Sequence, residues 1–249
     1  MPLNILMPST IPSFRHLAAR GFTLIEMAIV LIILTLVVGG ALVPLNAQIE
    51  LRRRTETRKA LDDIKEALIG YAVANSVLPC PSALDSSNII PTGFAATPPC
   101  ANTGYLPWAT LGVTKQDAWG NLFRYSVSPN FTMPFTLTTT RSITIKSRDS
   151  AGNPVNISNA NDIPAVIISQ GANAYGAMSG DGILQFTPPS FSTNNPDEYT
   201  NTTNSSVFFS RTPAPPGTAA AIGGEFDDLA TWISPNILFN RMVAAGKLP

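Results

Sequence analysis

Histidine is almost missing from this chain, with a single residue, His16, among 249. Ser-His-Asp and Cys-His catalysis, and metal centres ligated by imidazole, need that side chain in the working domain. Cysteine is nearly as scarce: Cys80 and Cys100 allow one disulfide at most. Excess charge is absent too, since 16 basic residues balance 16 acidic ones, so no basic surplus points to nucleic acid. There is no phosphate-binding loop, no dinucleotide fingerprint and no G-x-S-x-G elbow. A Ser-Lys pair is poor, because Ser147 follows Lys146 directly and neighbours on a strand face opposite ways. The chain therefore reads as non-enzymatic, with no nucleic-acid partner.

What the chain does have is a long apolar run. From Met27 to Val43 no side chain is charged, and Thr35 is the one polar group. As a helix, residues 22–45 extend about 36 Å at 1.5 Å per residue, enough for a hydrocarbon core of about 30 Å. A secretory signal has a shorter apolar part, ended by a small-residue cleavage site. Here Arg15, His16, Arg20 and then Gly21 precede the run, so cleavage after Gly21 leaves the hydrophobic helix in place. Glu26 sits at its edge, and a carboxylate entering a bilayer costs roughly 2.5–3.5 kcal/mol. It needs a partner.

These residues, read as GFTLIEMAIVLIILTLVV, resemble the N-terminal signature of type IV pilins and the related pseudopilins of type II secretion. The resemblance covers about residues 15–60. It implies that a prepilin peptidase cuts between Gly21 and Phe22 and methylates the new Phe22 amine. It also implies that Glu26 pairs with a Phe22 amine as subunits assemble. Opposite charges neutralise each other in a low-dielectric bundle, where either alone is costly. The plainer alternative is a signal anchor whose Glu26 lies at the interface. Removing the leader takes Arg15 and Arg20 but no acid, and His16 goes with it.

Beyond the run, Arg52, Arg53, Arg54, Arg58 and Lys59 interleave with Glu50, Glu56, Asp62 and Asp63. The positive-inside rule alone would put this end in the cytoplasm. The mixed signs instead suggest charges paired along or between helices. Leu61, Ile64, Leu68 and Tyr71 recur at helical spacing, an amphipathic stripe, and Asn75-Ser76 with Leu78-Pro79 ends the helix. Cys80 and Cys100, if joined, close a loop worth roughly 3 kcal/mol and indicate an oxidising compartment such as the periplasm. Unjoined, they are two buried thiols.

From Ser76 onward, 105–113, 121–127, 135–147 and 163–169 read as strands. Asp117 to Tyr125, DAWGNLFRY, is similar to the D-x-W-G-N element of the major pseudopilin head, a turn leading into its first strands. The stretches 168–173, 180–182 and 223–232 partly resemble that family's tail, which binds calcium. The resemblance implies Asp181, Asp227 and Asp228 as oxygen ligands. Alternatively, Asp227 and Asp228 cap a helical run that follows. Ser234-Pro235 to Gly246 carries the cap signals of a short helix.

The expected fold is α+β and pilin-like, a long N-terminal helix packed on an antiparallel sheet. The expected divisions are a leader at 1–21, a transmembrane half-helix at 22–45 and an amphipathic half at 46–75. A periplasmic head follows at 76–249, with a mobile insertion loop at 187–218. The implied role is a structural, minor subunit of a type II secretion pseudopilus or type IV pilus in the bacterial inner membrane. Its implied partners are other pilin or pseudopilin subunits, the prepilin peptidase and the inner-membrane assembly platform, with calcium as the one candidate cofactor. The alternatives are a minor pilin for adhesion or tip initiation, and a signal-anchored periplasmic binding domain.

Overall fold

The computed structural model describes residues 21–185, 187, 191–203, 206–215 and 222–249, with backbone only at 38–45. The leader expected at 1–21 therefore lies, but for Gly21, outside the described residues. The chain forms two compact units, Met1–Gln48 and Ile49–Pro249.

In the first unit, helix α1 (Leu24–Asn75) begins. Its apolar side chains are exposed all round: Leu24, Ile25, Met27, and then every large apolar residue from Ile29 to Val37. A helix apolar on every side is one that belongs in a buried setting. Among the described residues, no helix is long and apolar enough to cross a membrane. The span expected at 22–45 includes 38–45, whose side chains lie outside that description.

In the second unit, α1 continues as the amphipathic rod its spacing predicts. Leu61, Ile64, Leu68, Ile69 and Ala72 are buried. Its charges pair along the helix: Arg52 with Glu56 at 2.8 Å, Arg54 with Glu50 at 3.0 Å, Lys65 with Asp62 at 2.9 Å. The helix stops at Ser76, whose N–H still bonds the Ala72 carbonyl at 2.7 Å while its left-handed backbone (φ 62°) turns the chain out of the helix.

Strands β1 (Ser82–Leu84) and β2 (Pro91–Ala95) form a hairpin. β3 (Thr103–Tyr105) follows, then a one-turn helix α2 (Trp108–Leu111). The strand expected at 105–113 is thus cut short: Pro107 starts that turn and Gly112, left-handed at φ 67°, ends it. β4 (Arg124–Val127), β5 (Thr144–Arg148), β6 (Pro154–Asn156) and β7 (Ala165–Ser169) come next. Of the strand expected at 135–147, only its end forms; 136–139 is a turn closed by Thr139 Oγ1 accepting the Thr136 N–H at 2.8 Å.

The segment expected as a mobile loop contains α3 (Phe191–Asn194), α4 (Pro196–Thr202) and β8 (Val207–Phe209). Its polar residues Asp197, Glu198 and Asn201 are buried and bonded, which anchors it. β9 (Leu229–Trp232) stands where the alternative reading of Asp227 and Asp228 put a helical run, and α5 (Pro235–Ala244) is the short helix its caps predict.

A four-stranded antiparallel sheet, in the order β3-β4-β7-β9, forms the centre. Strand alternation splits its two faces. One face gives Tyr125, Val127, Ala165, Ile167 and Leu229 to a core with α1 and α5. The other gives Val166 and Ile168 to a second core with Ile143, Ile145, Ile163 and Phe208. That core is capped by a three-stranded sheet, β6-β5-β8, in which β8 runs parallel to β5. The result is an α+β fold with helices packed on antiparallel sheet.

Candidate functional site

The turn at Asp117–Asn121 ties the sheet to α1. Asp117 Oδ1 accepts the N–H groups of Trp119 and Asn121, each at 2.9 Å, and its Oδ2 accepts the Ser169 hydroxyl at 2.7 Å. Gly120 supplies the left-handed step at φ 89°. Trp119 Nε1 donates to Glu50 Oε2 at 3.2 Å, and the Ala118 N–H donates to the fully buried Thr57 hydroxyl at 3.2 Å. Burial pushes the Asp117 carboxyl pKa up, against the pull of these donors. The element is structural: it docks the sheet on the rod.

Where β9 begins, three buried carboxyl groups meet. Glu198 from α4 and Asp227 and Asp228 just before β9 bring ligand oxygens within 4.8 Å of one another. Backbone geometry explains the gathering. Asp227 Oδ2 accepts the N–H groups of Ala172 and Asn173 at 2.9 and 2.8 Å, and Glu198 Oε1 accepts the Asp227 N–H at 2.8 Å. Asn173 Nδ2 lies 3.1 and 3.0 Å from the two Glu198 oxygens, and Asn201 Nδ2 donates to Asp228 Oδ2 at 2.8 Å. Asp227 Oδ1 is buried with no hydrogen-bond partner.

Three carboxylates this close repel, and burial weakens the solvation of each. Burial first, then Glu198, raises the Asp227 pKa to about 7. Asp228 is raised well above the usual carboxylate range and Glu198 is also raised, burial being the main cause for both. The raised values favour protons on the group when it holds no cation, and a divalent cation would compete with them. The donor set is all oxygen, which fits a hard ion, and the unpartnered Asp227 Oδ1 offers a lone pair.

Of the ligands expected from sequence, Asp227 and Asp228 are brought together. Asp181 is an exposed turn residue and is not in the group. Glu198 was missed. Its signal, Pro196 followed by two acids, is a helix start inside a stretch that composition marks as loop. The same segment is clamped by a buried ion cluster. Arg148 Nε and Nη2 engage the two Asp197 oxygens at 2.8 and 2.6 Å, and Arg211 Nε lies 2.7 Å from Oδ2.

Cys80 and Cys100 are joined, with an S–S distance of 2.00 Å. At the start of α1, Thr23 and Glu26 form a reciprocal capping box. The Thr23 N–H and hydroxyl donate to Glu26 Oε2 at 2.9 and 3.0 Å, and the Glu26 N–H donates to Thr23 Oγ1 at 3.2 Å. Such a box satisfies donors that an N-terminus otherwise leaves free. Phe22 is exposed beside it.

Residues 17–42 match the prokaryotic N-terminal methylation motif, which is typical of prepilin and pseudopilin proteins. No curated protein and no solved structure matches the chain. The motif supports a subunit of the pilin or pseudopilin type in general, and no catalytic motif is evident among the described residues.

Proposed function

We propose that this protein is a structural subunit of a pilus-like filament of the type II pseudopilus or type IV pilus kind. A prepilin peptidase removes residues 1–21 and methylates the Phe22 amine. Residues 22–45 anchor the subunit in the inner membrane, 46–75 carry the amphipathic half of the rod, and the head, 76–249, stands in the periplasm. The observation that carries this reading is the motif at 17–42, within which the helix from Leu24 to Val37 is apolar on every side. Such a surface is stable only in lipid or against copies of itself. The other filament subunits and the inner-membrane assembly platform are its partners.

Glu26 sets the register of assembly. Its capping bonds fall on Oε2, which leaves Oε1 to the Phe22 amine of a neighbouring subunit. A misplaced neighbour leaves the carboxylate short of a partner, which is how a charge selects one alignment. In the head, Glu198, Asp227 and Asp228 hold calcium, and the ion fastens α4 to the start of β9. Mass spectrometry of protein isolated from its native membrane tests the first claim. A terminus of N-methylated Phe22 supports it; an intact Met1 or a start beyond Val43 overturns it.

A further inference from the structure

Edge strands carry a row of backbone groups that no neighbour takes up, and folds usually hide them. In the three-stranded sheet both edges are closed. On the outer side of β8, the Phe209 N–H donates to Asn201 Oδ1 at 2.7 Å, and the Phe209 carbonyl accepts from Asn201 Nδ2 at 3.0 Å. On β6, Pro154 takes an outward position and has no N–H to offer.

β9 is different. The Ile233 N–H donates to the Ala165 carbonyl at 3.0 Å, and Thr231 and Leu229 stand opposite Ile167 and Ser169. Bonded and unbonded pairs alternate along an antiparallel ladder, so Leu229, Thr231 and Ile233 serve β7. The N–H and C=O groups of Ala230 and Trp232 therefore point away from it. Among the described residues no strand pairs with that side.

That edge opens into a groove of about 310 Å³. Arg58, Leu61 and Asp62 of α1 form one wall, and Ser210, Arg211 and Pro213 another. The antiparallel bridge between Ala214 and Phe226, with bonds of 2.8 and 3.1 Å, joins the second wall to the chain leading into β9. A row of backbone donors and acceptors matches an extended main chain laid beside it. A second folded copy would bring its own walls against these, so the groove suits a segment that is extended by itself. Its charge is set by α1. Asp62 is paired with Lys65 at 2.9 Å, and Arg211 is held by Asp197. Arg58 is exposed and makes no ion pair among the described residues. The α1 wall is left positive, which favours an acidic side chain beside it.

We propose that the open edge of β9 binds an extended, acidic segment of a partner polypeptide, which joins the central sheet as a fifth strand. Its main chain bonds Ala230 and Trp232, and an Asp or Glu side chain of the segment faces Arg58. The interaction does not involve the apolar rod, so it stands apart from the filament reading. Asp228 also borders the groove, so every titration is run at one calcium concentration.

The test uses the full chain in detergent and a fluorescein-labelled, acetylated peptide of sequence TVEVTVT. Two controls accompany it: TVKVTVT, with the charge reversed, and TVEVTVT with every backbone nitrogen methylated, which cannot donate to the edge. Saturable anisotropy with the acidic peptide is expected, at least tenfold weaker with either control. Amide exchange at Ala230 and Trp232 should slow at least tenfold on binding, and R58E should prefer TVKVTVT. No saturable binding of TVEVTVT to the wild-type chain overturns the proposal. So does equal binding of the methylated peptide, or binding that leaves exchange at Ala230 and Trp232 unchanged. R58E that binds the acidic peptide as the wild type does also overturns it. Exchange that slows with rising protein concentration, without peptide, assigns the edge to a second copy and overturns it as well.

Discussion

Removing calcium should make the head sensitive to alkali, and the size of the effect follows from Asp227. With its pKa at about 7 in the fold and about 3.9 in the unfolded chain, the folded state holds a proton that the unfolded state has lost. The contribution of Asp227 is then greatest below about pH 4, falls as pH rises, and is gone above about pH 7. The whole change is about three pKa units at 1.36 kcal/mol each, or about 4 kcal/mol. Asp228 and Glu198 are raised as well, so they act in the same sense. A bound cation reverses the preference, because it favours the ionised carboxylates. At calcium about one hundred times its Kd, ligand linkage adds about 2.7 kcal/mol, or roughly 5–10 °C in Tm for a head of this size. The assay is thermal unfolding of the full chain in detergent from about pH 5 to about pH 8, with calcium or with chelator. The calcium increment should grow toward the alkaline end, and E198Q should shrink it. An identical Tm with and without chelator at about pH 8 would refute the reasoning.

The other expectations concern the rod, the disulfide and the clamp. Glu26→Leu and Glu26→Ala subunits should be cleaved after Gly21 at the wild-type rate yet fail to enter filaments, as read by shearing and immunoblot; normal incorporation of both removes the pairing role. Thr23→Val should lower helix stability at that end by about 1 kcal/mol through the lost cap, checked by amide exchange at residues 24–27. Replacing Cys80 and Cys100 by Ser opens a loop of sequence separation 20 and should cost roughly 3 kcal/mol in denaturant unfolding. Asp197→Asn strands two arginines in a buried site and should cost about 3–5 kcal/mol. Asp162→Asn, which breaks the more exposed pair with Arg141, should cost no more than about 1 kcal/mol. Equal losses in the two variants would show that burial does not set the value.

What the sequence made legible is local. The stripe Leu61, Ile64, Leu68 announces its own periodicity, and Ser234-Pro235 and Asn75-Ser76 are punctuation that reads without a structure. The N-terminal motif is legible for the same reason: its chemistry lies within six consecutive residues. The rest was hidden by distance along the chain. Glu198 becomes a neighbour of Asp227 only after α4 packs on the tail, and Arg148 reaches Asp197 of α4 from the end of β5. Leu229–Trp232 follows two acids and so looked like the start of a helix. It is a strand because Ser169 to Val166 offer it an antiparallel edge, which tertiary structure alone supplies. Composition misled over 187–218, where Pro, Asn, Ser and Thr suggest solvent; the amides of Asn195 and Asn201 are instead buried partners of carboxylates.

Because β5 waits for β8, pairing Ile145 with Phe208, a chain synthesised only as far as β5 has one strand edge bare. An edge of that kind invites neighbours, and parallel pairings of distant segments form slowly. Until the segment at 207–209 has been made and has paired, the second apolar core lacks Phe208 and the incomplete fold is at its most adhesive. Shortening the stretch between those two strands would change when that exposure ends.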